Sequence, residues 1–182
     1  MEHVILGFLT MGDMTGYDIK RLMSISTSFF YDASYGSIYP ALRKLEERGL
    51  VKSSEAIESG RLRKVYSITD EGREEFLRWL GGPPGESKFK YDFLMRMFFF
   101  AHLPKEKIEA AVTQHLSEIR AVSKKLEMIE FAVRGKADIY QMYTLRFGKD
   151  FFAFLQSWFE RFLDELKNGN PGEPGVEKGD TL

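Results

Sequence analysis

Two short stretches of the sequence carry side chains suited to gripping a nucleic acid. In the first, Ile38, Leu42 and Leu45 are spaced for one face of a helix, so Ser34, Tyr35, Ser37, Tyr39, Arg43 and Lys44 fall on its outward faces. Hydroxyls there can bond phosphates or base edges, and the cations can neutralise phosphate. Tyr39 has a core reading as well. In the second, Arg61, Arg63 and Lys64 follow a turn written Glu58-Ser59-Gly60-Arg61. A protruding hairpin at that place would lie along the DNA backbone or in the minor groove. A solvated charged turn is the plainer alternative.

Other chemistries find little to build on. The 182 residues contain no cysteine, which excludes disulfides, thiolate metal sites and a cysteine nucleophile. Three histidines, at positions 3, 102 and 115, do not suggest a metal centre, so neither a metal nor a cofactor is expected. There is no G-x-S-x-G, no G-x-G-x-x-G and no P-loop lysine pattern. The neighbouring acids Glu46-Glu47 and Glu74-Glu75 would point about 100° apart on a helix, so they do not make a paired carboxylate site. The sequence does not read as an enzyme.

Charge narrows where a duplex could bind. The net charge is −1, and neither half of the chain is basic. The excess is local: between Arg43 and Lys64 stand Arg43, Lys44, Arg48, Lys52, Arg61, Arg63 and Lys64 against Glu46, Glu47, Glu55 and Glu58. One element, not a generally positive body, would have to make the contact. The longest apolar stretch, Phe93 to Leu103, is broken by Arg96 and too short to span a bilayer. No secretory signal is visible. A soluble cytoplasmic protein without membrane contact is expected.

The elements that must position these residues divide at Gly81-Gly82-Pro83-Pro84-Gly85, through which no helix or central strand continues. We expect one domain at 1–82, a second at 86–167, and a flexible Gly- and Pro-rich tail at 168–182. The first opens with a short helix at Val4 to Leu9. Thr15 caps a second helix that buries Ile19, Leu22 and Met23. The third helix ends at Arg48-Gly49; Pro40 falls in its first turn or, if the helix starts near Ser34, in its interior. Leu50–Glu58 and Arg63–Thr69 read as strands joined by the hairpin. Thr69 or Asp70 caps a fourth helix with Phe76, Leu77 and Leu80 on its apolar face. Three helices with an appended hairpin make a winged helix-turn-helix.

The second domain is read as wholly helical. Lys88 to Ala101 is apolar almost all round and should be buried on most sides. Beyond Pro104 runs a coiled-coil-like seam of Ile108, Val112, His115, Ile119, Val122, Leu126, Ile129 and Val133. It must pack on its neighbour or on another copy of the chain. His115 is read as a satisfied core or interface histidine, His102 as a surface residue. Gly135 ends this helix and Asp138 caps a last one, with Phe151, Leu155, Trp158, Phe162 and Leu166 on its aromatic face. Sixteen phenylalanines suggest a large aromatic core or a subunit interface.

The run Tyr35-Gly36-Ser37-Ile38-Tyr39-Pro40-Ala41-Leu42-Arg43-Lys44-Leu45-Glu46-Glu47-Arg48-Gly49-Leu50-Val51 resembles the third-helix signature of PadR-type transcriptional regulators. Gly16-Tyr17-Asp18-Ile19 is similar to the start of that family's second helix. Arg63-Lys64-Val65-Tyr66-Ser67-Ile68-Thr69-Asp70-Glu71-Gly72 is similar to its second wing strand and following helix. The helical second part resembles, in length and layout, the C-terminal dimerisation domain of the larger subgroup that also holds virulence activators. The resemblance implies a helix starting before the proline, near Ser34. It implies that Tyr17, Ser37, Tyr39, Lys44, Arg63 and Lys64 face DNA; Ser34, Tyr35 and Arg61 join them from the face pattern alone.

The fold expected is therefore mainly α (α+β): an N-terminal winged helix-turn-helix followed by an all-helical dimerisation domain. The function the resemblance implies is a homodimeric repressor on a pseudo-palindromic operator in double-stranded DNA, released by a small aromatic or hydrophobic ligand. Activation is the other sign open to the larger subgroup. Trp158 and its neighbours are either core or the lining of an effector pocket. The rival from another class is a winged-helix adaptor that binds protein and no DNA.

Overall fold

The computed structural model describes residues 1–31, 35–58, 61–86 and 89–169. Ser34, the turn residues Ser59 and Gly60, and all of the expected tail beyond residue 169 lie outside the described residues. The chain divides into two compact units, Met1–Ser87 and Lys88–Leu182.

The first unit is a winged helix. Its elements are α1 (Glu2–Leu9), β1 (Met14–Thr15), α2 (Gly16–Ser26), α3 (Tyr35–Glu47), β2 (Val51–Glu58), β3 (Arg61–Ile68) and α4 (Asp70–Leu80). The sheet is antiparallel with strand order β1-β3-β2. β1 is too short to leave a period-2 pattern in the sequence, and it was not expected. Thr15, the last residue of β1, also caps α2: its hydroxyl accepts from the Asp18 backbone N–H, and the Asp18 carboxylate accepts in return from the Thr15 N–H and hydroxyl. Pro40 lies in the interior of α3. Ile5, Leu6, Leu9, Ile19, Met23, Ile38, Leu42 and Leu45 are fully buried between the three helices, and Val51 and Tyr66 close the core from the sheet. That packing leaves the opposite face of α3 to solvent.

α4 departs from expectation. Phe76 packs inward, but Leu77 and Leu80 are exposed. Trp79 instead stacks on His3 of α1 at 5.3 Å. Only one ridge of α4 meets α1, so the apolar stripe read from the sequence is wider than the surface it covers.

The second unit holds a short α5 (Asp92–Met97), a single 3-10 turn (Phe100–His102), and two long helices, α6 (Lys105–Val133) and α7 (Ile139–Asn168). Asp138 caps α7 by accepting from the Tyr140 and Gln141 N–H groups, and Gly169 ends it in the left-handed conformation. The long helices run antiparallel, as ion pairs from Arg120 to Glu160 and from Glu130 to Lys149 record. The seam on α6 is covered within the chain: Val112, Leu116 and Ile119 pack with Leu155, Phe159 and Leu163 of α7, and Leu126 is buried further along. Lys88–Ala101 contradicts expectation. Among its described residues only Phe100 is buried, while Phe89, Met95, Phe98 and Phe99 are exposed. Among the described residues none covers the outer side of α5.

His115 is the polar centre of this core. Its ring lies 3.9 Å from that of Phe93, nearly parallel, and edge-on to Phe159 at 4.9 Å. Its Nε2 is 2.6 Å from the Tyr91 hydroxyl, and Nδ1 is 3.6 Å from Glu118. Burial among rings holds the imidazole pKa below its usual value, against the pull of Glu118. A histidine whose pKa is depressed on folding binds a proton more readily when unfolded. It adds stability above the unfolded pKa of about 6.5, and that contribution is lost as pH falls below it toward the folded value. Thermal unfolding should therefore lose stability in that window, and His115→Gln should flatten the dependence. An equally steep pH profile in the variant would assign the effect to other groups.

Candidate nucleic-acid interface

The face of α3 that avoids the core meets the hairpin and the start of α2 in an open cleft of about 350 Å³. Tyr17, Tyr39, Arg63 and Lys64 line it together with Thr15, Gly16 and Leu62. Four residues singled out from the sequence thus converge from three elements. Tyr17 and Tyr39 are each about half exposed, at 53% and 48%. Lys44 and Arg43 are exposed on α3 outside the cleft lining, and Ser37 is half-buried. Tyr35 opens α3 and Arg61 opens β3, placed by their backbone alone.

Gly16 makes the convergence possible. A Cβ at that position would come within 2.8 Å of Tyr39 Cε1 and 3.0 Å of its Cζ. The Tyr39 ring therefore rests directly on the backbone that begins α2. Gly16→Ala should displace the ring and also crowd the core residue Leu42, whose Cδ1 would lie 3.3 Å from the new Cβ. We expect roughly a fivefold loss of operator affinity, about 1 kcal/mol, with a small fall in melting temperature. A normal affinity by fluorescence anisotropy would show that ring placement does not matter.

The two wing bases differ in their surroundings. Adjacent strand residues point to opposite faces, so Arg63 and Lys64 leave β3 on different sides. Lys64 shares a face with the buried Tyr66, and its ammonium sits 5.3 Å from the centre of that ring. Its Nζ donates to Glu46 of α3 at 2.8 Å. The Ser53 hydroxyl of β2 donates to the other oxygen of the same carboxylate. These bonds, that from Lys64 first, hold the Glu46 carboxyl below its usual pKa, and the bond to Glu46 raises that of Lys64. Arg63 instead lies toward α2. The pKa of Asp18 is lowered chiefly by the Thr15 hydroxyl, with the Arg21 and Arg63 cations adding to it.

Sequence reasoning did not single out Glu46, Asp18 or Gly16 in these roles. Nothing local marks Glu46 as the partner of Lys64, because the contact exists only once the hairpin folds back over α3. Trp158 packs edge-on to Phe159 and stacks on Phe162. An open cavity of about 440 Å³ in this unit lies elsewhere, among residues that include Tyr143, Arg146 and Lys149.

Comparison with known proteins places this geometry. Residues 5–78 match the transcriptional regulator PadR-like family, and residues 89–167 match the virulence activator alpha C-terminal domain. The crystal structure of a PadR-like transcriptional regulator from Bacillus cereus is 30% identical with a TM-score of 0.83, over 93% of this chain and 99% of that one. The negative transcriptional regulator PadR of Bacillus subtilis is 28% identical over 66% of this chain and 68% of its own length. Its structure in complex with operator DNA aligns with a TM-score of 0.79 at 25% identity, over 91% of this chain and 98% of that one. That protein is also known in complex with p-coumaric acid. The virulence activator AphA of Vibrio cholerae aligns at 28% identity and a TM-score of 0.69, over 92% and 98% of the two chains. The winged helix, the helical second unit and the near-complete overlap with these structures agree: this chain belongs to the PadR-like family of transcriptional regulators.

Proposed function

We propose that this regulator acts in the cytoplasm as a homodimeric repressor, binding a pseudo-palindromic operator through α3 and the wing. The observation that carries the proposal is the cleft in which Tyr17, Tyr39, Arg63 and Lys64 meet. Two phenols offer hydroxyls to base edges or phosphates, and two cations lie where a duplex backbone would pass. We assign DNA contacts to these four, to Ser37 and Lys44 on α3, to Tyr35 at its start, to Arg61 at the wing, and to Ser34, which lies outside the described residues. Repression, rather than activation, is favoured by the Bacillus subtilis relative, a negative regulator.

Dimerisation is supported by apolar side chains that one chain leaves bare. Met128 and Phe131 of α6 and Tyr140, Tyr143, Phe147 and Phe154 of α7 are all exposed, large apolar side chains that a second subunit would cover. A dimer would set two copies of α3 about one helical turn, or ~34 Å, apart. Release by a small aromatic or hydrophobic ligand completes the proposal; the p-coumaric acid complex of the Bacillus subtilis protein supports that chemical class.

The test is electrophoretic mobility of the gene's own upstream region at two salt concentrations, alongside sedimentation of the free protein. A shift that weakens steeply with salt, made by a dimer, is expected. A folded dimer that shifts no DNA at low salt would indicate a protein-binding adaptor, and a single subunit at micromolar concentration would remove the paired geometry.

A further inference from the structure

We propose that Glu46 is a specificity-determining residue of this interface, withholding the charge of Lys64 from non-operator DNA while fixing the wing to α3. The inference rests on the DNA-binding proposal above. Glu46 stands in the last turn of α3 and accepts from Lys64 on β3 and Ser53 on β2, so one carboxylate joins the candidate reading helix to both wing strands. The hairpin register explains the meeting. Ser53 pairs with Tyr66 and Glu55 with Lys64, so all four side chains share one face, and the buried Tyr66 turns that face toward the helices.

The ion pair is open to solvent, with 49% of the Lys64 side chain and 33% of Glu46 exposed. A pair so screened adds little to folding. Its larger effect is on the potential that a duplex meets. Binding to DNA of any sequence follows the number of phosphates neutralised, and a carboxylate held on the ammonium subtracts from that number. Operator binding draws in addition on base contacts from α3. It gains when wing and helix are already aligned, because less ordering remains to be done on binding. Glu46 therefore lowers background binding more than it lowers operator binding. The depressed pKa of its carboxyl keeps this charge in place at neutral pH.

Glu46→Gln tests the proposal, since the amide keeps an oxygen for Ser53 and discards the charge. Anisotropy titrations against an upstream fragment and a random duplex of equal length, over a series of salt concentrations, give affinity and salt slope together. We expect the random duplex to bind roughly 3- to 10-fold tighter, the slope of log K against log salt to steepen by about 0.9 per subunit, and the operator-to-random ratio to fall. Adding Lys64→Gln should cancel the steepening and return the slope to that of the wild type, because the pair then carries no net charge in either protein. An unchanged slope in Glu46→Gln, or a steep slope surviving in the double variant, overturns the role given to Glu46. A wild-type protein without salt-dependent duplex binding overturns the DNA-binding proposal itself.

Discussion

Gly72→Ala is expected to unfold the winged-helix unit at temperatures where the wild type is intact. Gly72 is buried in the first turn of α4, and a Cβ there would lie 2.0 Å from the Leu50 carbonyl oxygen and 3.0 Å from Ile68 Cγ1. The Leu50 oxygen belongs to the backbone and cannot swing aside. It already accepts the Thr69 N–H at 3.1 Å, while the Thr69 hydroxyl donates to the Gly49 carbonyl and accepts the Gly72 N–H. Making room for the methyl group pulls the cap of α4 away from the turn that joins α3 to β2, where Leu50 and Val51 enter the core. Alanine improves helix propensity by up to about 1 kcal/mol. The collision opposes it with a forced backbone shift and broken capping bonds, on the order of 3–4 kcal/mol together. The clash wins, leaving a net loss of roughly 2–3 kcal/mol and a midpoint lower by about 10–20 °C for a unit of this size. Gly85→Ala is the control, since a Cβ there meets nothing within 4 Å. Circular dichroism melts that left Gly72→Ala within a degree or two of wild type would mean that the Leu50 turn yields freely.

Gly72 also marks the boundary of what the sequence discloses. Its place in the wing-to-helix motif is legible, but its reason is not, because the carbonyl it avoids is twenty-two positions earlier in the chain. What could be read came from local rules. The Thr15 and Asp138 caps, the helix stops at Gly49 and Gly169, and the strands on either side of Gly60 each need only a few neighbouring residues. The buried face of α3 follows from Ile38, Leu42 and Leu45 in the same way. Errors arose where burial depends on a partner element. Residues 88–101 and the Leu77–Leu80 edge of α4 have apolar side chains, yet nothing within the described chain covers most of them. Hydrophobicity tells which residues prefer to leave water; only the assembled layers decide which do. The residues proposed to face DNA show the same division. Helical periodicity puts Tyr39 outside the core, whereas its seat on Gly16 and the capture of Lys64 by Glu46 depend on contacts between α2, α3 and the hairpin.

Arg63→Ala combined with Lys64→Ala should weaken binding to operator and random duplex alike, by roughly 10- to 100-fold at moderate salt, with a shallower salt slope. Both residues would act on phosphate, which carries no sequence information. Their shares are unequal. Lys64 is already paired with Glu46 at 2.8 Å, so removing it frees a carboxylate as well as deleting a cation. In Lys64→Ala the net charge of the pair goes from zero to −1, and the uncovered carboxylate repels DNA. Lys64→Ala alone should therefore hurt binding more than Lys64→Ala in a Glu46→Gln background. Tyr39→Phe makes the contrasting case. It keeps the ring on Gly16 and removes only a hydroxyl, so binding to random DNA should barely change. If that hydroxyl reads a base edge, operator affinity falls by about 1–3 kcal/mol, or roughly 5- to 150-fold, and the preference at one position relaxes. Competition assays with operator variants separate the outcomes. Equal losses on operator and random duplex in Tyr39→Phe would move Tyr39 from base reading to backbone contact, leaving sequence selection to other residues of α3.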